Sequence, residues 1–151
     1  MMDQMVVTFR LLEDLKWSDG EPLTSDDALY AFEVFSDPDS WRQPADRRAV
    51  DRTQSYEAVD DRTVVWTGIP GYLDSRYPTL FFPPMPRHTW GDFTPAEIQT
   101  MPEITRAPLG WGPYVVEEWE LGNFLRFRKN PFYFRAEEGL PKFETLIFRF
   151  V

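Results

Sequence analysis

Cysteine is absent from this sequence of 151 residues, and histidine occurs only once. The missing thiols exclude a disulfide scaffold, a thiol nucleophile and a cysteine-based zinc site. A single imidazole excludes a histidine-rich metal cluster, so we predict neither a metal site nor a cofactor. Basic residues are also few: 16 Lys and Arg against 25 Asp and Glu give a net charge of −9. This balance argues against a nucleic-acid partner, because phosphate binding needs a basic patch.

Long apolar runs are missing as well, and nothing approaches the roughly 18 consecutive apolar residues of a membrane-spanning helix. Residues 1–5 lack the basic region and apolar stretch of a signal peptide. Strand-like patterns stand close to both ends, at 6–12 and 143–151, where domains usually carry a polar margin. We therefore expect a piece of a longer chain, and we treat residues 1–151 as a single fragment domain.

Aromatic residues, in contrast, are abundant: six Trp, six Tyr and 13 Phe make up 17% of the sequence. Proline is also frequent, with 14 residues. Large rings bury large apolar areas, so we expect a folded chain although 27% of its residues are charged.

Alternation of apolar and polar residues predicts several strands, some of which pair as hairpins. A single clear helix is predicted to begin in Thr24-Ser25-Asp26-Asp27, where Thr24 and Asp27 can form a capping box, and to end before Pro38. Residues 38–52 are polar and predict a surface loop. The fold class is therefore α+β, with antiparallel or mixed sheet and a few packed helices. The predicted strands cover 6–12, 55–59, 62–67, 114–119, 125–128 and 143–151, and short helical turns are predicted within 75–82, 86–90 and 95–101.

Five sequence blocks occur in an order and spacing that is found in a known family. They are 7–11 followed by Lys-Trp-Ser-Asp-Gly-Glu-Pro-Leu-Thr-Ser-Asp-Asp at 16–27, 56–65, Pro-Arg-His-Thr-Trp at 86–90, Pro-Leu-Gly-Trp-Gly-Pro-Tyr at 108–114, and Asn-Pro-Phe-Tyr-Phe at 130–134. Together they resemble the family 5 extracellular solute-binding proteins, which include the peptide-, dipeptide- and nickel-type binding proteins of ABC importers. Trp111 stands where Thr or Ser is common in that family, and Phe132 and Phe134 replace an acidic residue and a Trp.

The resemblance implies part of lobe I of a type II (cluster C) periplasmic binding protein fold. It implies an accessory subdomain of that lobe at about 6–105 and strands that return to the lobe at about 106–151. It further implies a non-catalytic substrate-binding component of an ABC importer, periplasmic or extracellular and membrane-associated in the parent protein. The implied partners are ABC permease subunits and a solute bound between two lobes. Peptides are the first expectation for the solute, and nickel chelates, opines and oligosaccharides remain alternatives.

Aromatic residues on loops are the candidate ligand contacts, since loops carry many binding sites. Trp111 lies between two glycines, which permit close approach of another chain or a ligand. For each candidate, packing in the core is the alternative. The candidate ligand-binding residues are Trp111, Gly112, Phe81, Phe82 and Trp41. The residues expected to shape turns, caps and core edges are Trp17, Asp19, Gly20, Thr24, Asp27, Pro108, Gly110, Pro113 and Tyr114.

The residues support other functions less strongly than they support solute binding. The acidic pairs at 26–27, 60–61 and 117–118 suggest a glycosidase, but that chemistry needs two opposed carboxylates across a sugar. His88 fits a structural role at a helix terminus. Arg47, Arg48 and Arg52 fit a solvated face, with anion binding as the alternative. A second hypothesis is a self-contained protein–protein interaction domain with an exposed aromatic surface. Exposed apolar surface and open strand edges also lead us to expect dimerisation.

Overall fold

A computed structural model describes residues 3–40 and 44–150, without the side chains of 44–46 and 103. The chain divides into two compact units. Unit 1 contains the residues up to Glu13 together with Thr24–Ala96, and unit 2 contains Asp14–Leu23 together with the residues from Glu97 onward. The segment Asp14–Leu23 therefore leaves unit 1 between its first strand and its first helix. The assignment of these parts to subdomains of a larger lobe stays a prediction.

The sheet of unit 1 has three antiparallel strands, β1 (Val6–Arg10), β2 (Thr53–Asp60) and β3 (Thr63–Gly68). Their order in the sheet is β1-β3-β2, so β3 is central. Every second residue of β3 is buried, as the alternating pattern predicted. Trp66 lies opposite Val7 on one side and Tyr56 on the other. The predicted first strand and first hairpin are therefore confirmed.

The main helix of unit 1 is α1 (Ser25–Ser36), which begins and ends where the capping and proline signals predicted. The backbone N–H of Thr24 donates to Asp27 Oδ2 at 2.9 Å, which forms one arm of the capping box. A second helix, α2 (Pro44–Asp51), occupies part of the range that was predicted to be a surface loop, and that prediction is wrong. Proline at the first position starts α2, because its missing N–H would have no partner there.

The remaining helical segments are short, and most of them begin near a proline. The short turns predicted within 75–82, 86–90 and 95–101 are confirmed, and the one over 102–106 was not predicted. They are a 3₁₀ turn over Tyr77–Leu80, α3 (Arg87–Trp90), α4 (Pro95–Ile98), α5 (Pro102–Arg106) and a second 3₁₀ turn over Ala136–Glu138.

The core of unit 1 forms where α1 and the loop after the 3₁₀ turn pack on the sheet. Trp66 is fully buried, and its indole N–H donates to Thr53 Oγ1 at 2.7 Å. The Tyr56 ring meets the Phe82 ring edge-on, with ring centres 5.1 Å apart. The buried residues of this core are Ala28, Ala31, Tyr56, Val64, Trp66, Leu80 and Phe82.

Tyr56 gives this core a measurable response to alkaline pH. Burial raises the pKa of Tyr56 to about 12, from an ordinary value of 10.0. Below pH 10 the phenol is neutral in both the folded and the unfolded chain, so its contribution to stability is fully present. As the pH rises from 10 towards 12, the unfolded phenol ionises first and this contribution is lost.

We expect Tyr56→Phe to flatten the fall in unfolding free energy between about pH 10 and pH 12. At neutral pH the variant should lose about 1 kcal/mol, because the backbone N–H of Phe82 donates to the Tyr56 hydroxyl. Urea unfolding at a series of pH values measures both effects. Burial also raises the pKa of Tyr30, so part of the alkaline slope should persist. An unchanged slope in the variant would contradict this account.

The sheet of unit 2 has three antiparallel strands, β4 (Tyr114–Glu120), β5 (Phe124–Lys129) and β6 (Thr145–Arg149), in that order. The second predicted hairpin and the final strand are therefore confirmed. Phe148 of β6 is 57% exposed, and its ring packs against Phe127 on the neighbouring strand. The alternating pattern of the final strand located β6, but it did not show which face of the sheet is covered. Ile147 is also exposed, so β6 presents apolar side chains on both faces.

Candidate functional site

A tight turn in unit 2 forms the base of the candidate site. The backbone N–H of Gly20 donates to the Trp17 carbonyl at 3.0 Å, and Gly20 adopts a φ of +97°. The N–H of Glu21 donates to Asp19 Oδ1 at 3.1 Å, which closes the turn through a side chain. The Trp17 side chain is 1% exposed. This turn is therefore a rigid support with a large buried ring.

The loop Gly110–Trp111–Gly112 rests on this support. The N–H of Gly110 donates to Ser18 Oγ at 3.3 Å. The Trp111 ring meets Trp17 edge-on, with ring centres 5.3 Å apart and planes at 81°. Trp111 itself is half-buried, so one part of its ring is packed while the rest faces solvent. An edge-to-face pair of this kind fixes the orientation of the exposed part.

Asn130 holds the loop from its other end, and it is the best buried polar side chain of unit 2 at 1% exposure. Its Nδ2 donates to the Gly112 carbonyl at 2.9 Å, and its own backbone N–H donates to the Pro113 carbonyl at 2.9 Å. Its Oδ1 accepts the N–H of Phe132 at 3.0 Å. The sequence block at 130–134 contains Asn130, but the sequence alone did not predict this role for it. The available signal was an Asn-Pro pair directly after a strand.

The two glycines of this loop are not required by packing within the described chain. Apart from atoms of the adjacent residues in the chain, a methyl group placed on Gly112 would meet no heavy atom within 4 Å, and one on Gly110 would meet only the Gly112 nitrogen at 4.0 Å. Gly20 behaves differently, since a methyl group there would lie 3.0 Å from the Phe132 ring. Open space therefore borders the backbone of the loop at Gly112.

The other aromatic candidates lie in unit 1 or outside the described residues. Phe82 is 4% exposed and packs among Phe32, Phe35 and Tyr56, which leaves almost no surface for a ligand. Phe81 is half-buried, with its ring centre 5.2 Å from that of Phe9. Trp41 lies outside the described residues. Among the described candidates, Trp111 and Gly112 lie in unit 2, whereas Phe81 and Phe82 lie in unit 1.

The acidic pair of α1 serves the architecture of unit 1. Asp27 Oδ1 accepts the backbone N–H of Arg87 at 3.1 Å, in addition to the cap that its other oxygen forms. The Arg87 side chain forms ion pairs with Asp26 and Glu33 and lies over the Tyr30 ring. Sequence reasoning did not identify Arg87 as a partner of α1, because the two are far apart in the chain. These carboxylates hold α3 against α1.

Among the residues that the structure describes, no helix is both long and apolar enough to cross a lipid bilayer.

Comparisons with known proteins define the class to which this architecture belongs. Residues 2–151 match the family described as bacterial extracellular solute-binding proteins, family 5 Middle. The chain is 32% identical to Protein XP55 of Streptomyces lividans over 145 residues, which are 96% of the chain and 25% of that protein. It is 28% identical to the putative ABC transporter peptide-binding protein BOV_A0352 of Brucella ovis over 151 residues, which are 98% of the chain and 27% of that protein.

A solved structure has the same fold. The oligopeptide-binding protein AppA of Bacillus subtilis, in complex with a nonapeptide, superposes with a TM-score of 0.81 at 23% identity. The match covers 97% of this chain and 28% of AppA. The chain therefore belongs to the family 5 extracellular solute-binding proteins and has the α+β fold of a lobe of the type II periplasmic binding proteins. It spans about a quarter of the length of the relatives that it matches.

Members of this family are described as extracellular solute-binding proteins, and the Brucella ovis relative is described as a putative peptide-binding protein of an ABC transporter.

Proposed function

We propose that this chain forms one wall of the solute-binding cleft in a non-catalytic receptor of an ABC importer. The observation that carries the proposal is the loop Gly110–Trp111–Gly112. A hydrogen bond to Ser18, a ring contact with Trp17 and a hydrogen bond from Asn130 hold this loop in place. The loop borders open space at Gly112. Binding sites commonly place a few fixed aromatic and backbone groups on a rigid scaffold, and this loop has that design.

The loop offers two kinds of contact to a solute. The half-exposed Trp111 ring provides a flat apolar surface that suits aliphatic or aromatic side chains. The glycine backbone at Gly112 allows an extended ligand to approach the main chain, because no side chain other than those of its chain neighbours lies within 4 Å of a Cβ placed there. Backbone hydrogen bonds give affinity for an extended peptide, while a ring at one position gives selectivity. We therefore propose a peptide or a similar extended solute.

The family match supports a proposal for the partners. One relative is described as a putative ABC transporter peptide-binding protein, and its match covers 98% of this chain. On this basis we propose peptides as the solute class, ABC permease subunits as protein partners, and a periplasmic or extracellular location with membrane association for the parent protein. The chain corresponds to about a quarter of such a receptor, so we propose that groups outside it complete the cleft.

Calorimetry with peptides of two to five residues tests this proposal on two proteins, the 151-residue chain and the product of the longer reading frame that we propose contains it. The longer protein should bind at least one peptide with a dissociation constant of about 1–10 μM, as expected for a closed cleft. The chain alone should bind no tighter than about 1 mM, because it supplies one wall. Micromolar binding by the chain alone would overturn the proposal of a shared cleft.

A second candidate is a self-contained protein–protein interaction domain. The exposed apolar side chains of β6 and its neighbour Phe150 favour this alternative, since they could pair with another chain or with a second copy. The length of the reading frame separates the two candidates. A stop codon at the end of this sequence would favour the interaction domain, and a long frame with a signal peptide would favour the receptor. Light scattering would detect the dimer expected from such a surface.

A further inference from the structure

A cavity of about 350 Å³ opens on unit 1, and the loop at Trp111 contributes none of its lining residues. This volume lies at the lower end of the range for small-molecule sites, which is about 300–1,000 Å³. Three of its lining residues are arginines, at the end of α2 and before the 3₁₀ turn. The full lining is Arg48, Ala49, Arg52, Tyr72, Asp74, Arg76, Thr79 and Leu80.

The cavity contains an ordered set of polar groups. The Arg52 guanidinium lies over the Tyr72 ring, 5.0 Å from the ring centre. The Tyr72 hydroxyl donates to Asp74 Oδ2 at 2.8 Å, and Asp74 Oδ1 accepts the backbone N–H of Arg76 at 2.8 Å. The backbone N–H of Ile69 donates to the Arg52 carbonyl at 3.0 Å, which anchors the end of α2. Arg52 is therefore oriented by a ring that is itself oriented by a carboxylate.

The lining of the cavity carries more positive than negative charge, with three arginines and one aspartate. Asp74 forms an ion pair with Arg76, with Nε and Oδ1 3.7 Å apart. Within the described residues, no carboxylate lies within 4 Å of the guanidinium groups of Arg48 and Arg52. Arg48 lies in the last turn of α2 and Arg52 is the residue after its end, so these two like charges repel each other. Hydrogen bonds from the Arg76 N–H and the Tyr72 hydroxyl lower the pKa of Asp74, so its charge is already present at neutral pH.

This excess positive charge is local, because the whole chain carries a net charge of −9. A guanidinium that is stacked on a ring keeps its N–H groups fixed in a plane, which suits two-point contact with a planar carboxylate or a phosphate. Ala49 and Leu80 add apolar wall to the cavity. A small organic anion would therefore find both charge neutralisation and apolar contact there.

From this geometry we propose that the cavity binds a small organic anion that carries a phosphate or carboxylate group, held by Arg48 and Arg52. All of the residues that line the cavity belong to unit 1. This site would add a second ligand, or a regulator, to a protein whose candidate solute loop lies in unit 2.

Titration calorimetry of the 151-residue chain at low ionic strength tests this site. The probes are inorganic phosphate, glycerol 3-phosphate and citrate, with chloride as the comparison ion. At least one probe should bind saturably with one site per chain and a dissociation constant of about 1 mM or tighter, whereas chloride should not. Arg48→Gln and Arg52→Gln should each weaken binding about tenfold, because each removes a charge-assisted hydrogen bond.

Arg47→Gln is the matched control, since it removes the same charge from α2 at an exposed residue that does not line the cavity. It should change the affinity less than about twofold. Arg48 and Arg52 are both exposed, so both variants should keep the circular dichroism spectrum of the wild type. The proposal would be overturned if all three variants lost the same affinity for the probes, or if no probe bound saturably to the wild type. A final experiment measures binding to vesicles that contain phosphatidylglycerol. If the chain binds these vesicles but none of the free probes, the proposal of a small organic anion as the ligand is overturned.

Discussion

Replacing Trp66 by alanine should lower the free energy of unfolding by about 4 kcal/mol, the largest effect on stability that we expect from a single residue in this chain. Trp66 is fully buried in the central strand β3, and it lies opposite a residue of each neighbouring strand. Its loss would leave a cavity, and it would also remove the donor to Thr53 Oγ1. The surrounding side chains can fill the space of a missing ring only in part. The loss of unfolding free energy therefore combines lost apolar burial with lost van der Waals contacts.

Chemical denaturation followed by circular dichroism measures this loss. The matched control is Trp119→Ala in β4, where the same side chain is 38% exposed, and the expected cost is below about 1 kcal/mol. Gly68→Ala gives an independent check from the other side of the same ring, since a methyl group on Gly68 would lie 2.5 Å from Trp66 Cη2. That variant should cost about 2 kcal/mol. Equal losses for Trp66→Ala and Trp119→Ala would contradict the proposed core.

Replacing Trp111 by alanine should weaken solute binding by the longer receptor about tenfold or more, because a large ring on a rigid support is a typical energetic anchor of a binding site. The expected effect on stability is smaller, about 1 kcal/mol, since the loss is mainly the edge-to-face contact with Trp17. Trp111→Phe should recover part of the affinity, because it keeps an aromatic surface at the same place.

Two further variants separate contact with solute from damage to the fold. Trp119→Ala removes an exposed indole from the same unit and should leave the affinity unchanged within about twofold. Gly112→Ala adds one methyl group where the described chain leaves open space, so it should not alter the unfolding free energy. It should nevertheless weaken binding if solute approaches the backbone there. A Trp111→Ala receptor with wild-type affinity would contradict the role of this loop.

Much of the architecture could be predicted because its signals are local. The capping residues Thr24 and Asp27 and the stop before Pro38 located α1. Alternating residues located the strands of both sheets. The helix α2 was missed because its eight residues carry four charges and only a few apolar side chains, a pattern that also suits a loop. Ala49 and Val50 nevertheless pack partly against the core of unit 1.

Contacts between distant segments could not be predicted from single patterns. Phe82 was a candidate for ligand contact because it lies in a run of rings and prolines, yet packing with α1 and β2 buries it. Asn130 and Ser18 hold the Trp111 loop from positions far apart in the sequence. The two glycines beside Trp111 were the useful local signal, because they marked a loop at which open space remains.

The most direct test of the proposed function is a crystal structure of the longer receptor with its bound solute. Our account predicts that atoms of the solute lie within about 4 Å of the Trp111 ring or the Gly112 backbone, as packed groups do. It also predicts that the hydrogen bonds from Asn130 to Gly112 and from Gly110 to Ser18 are present in the complex. A solute bound elsewhere, with the Trp111 ring covered by the receptor's own core, would contradict the account.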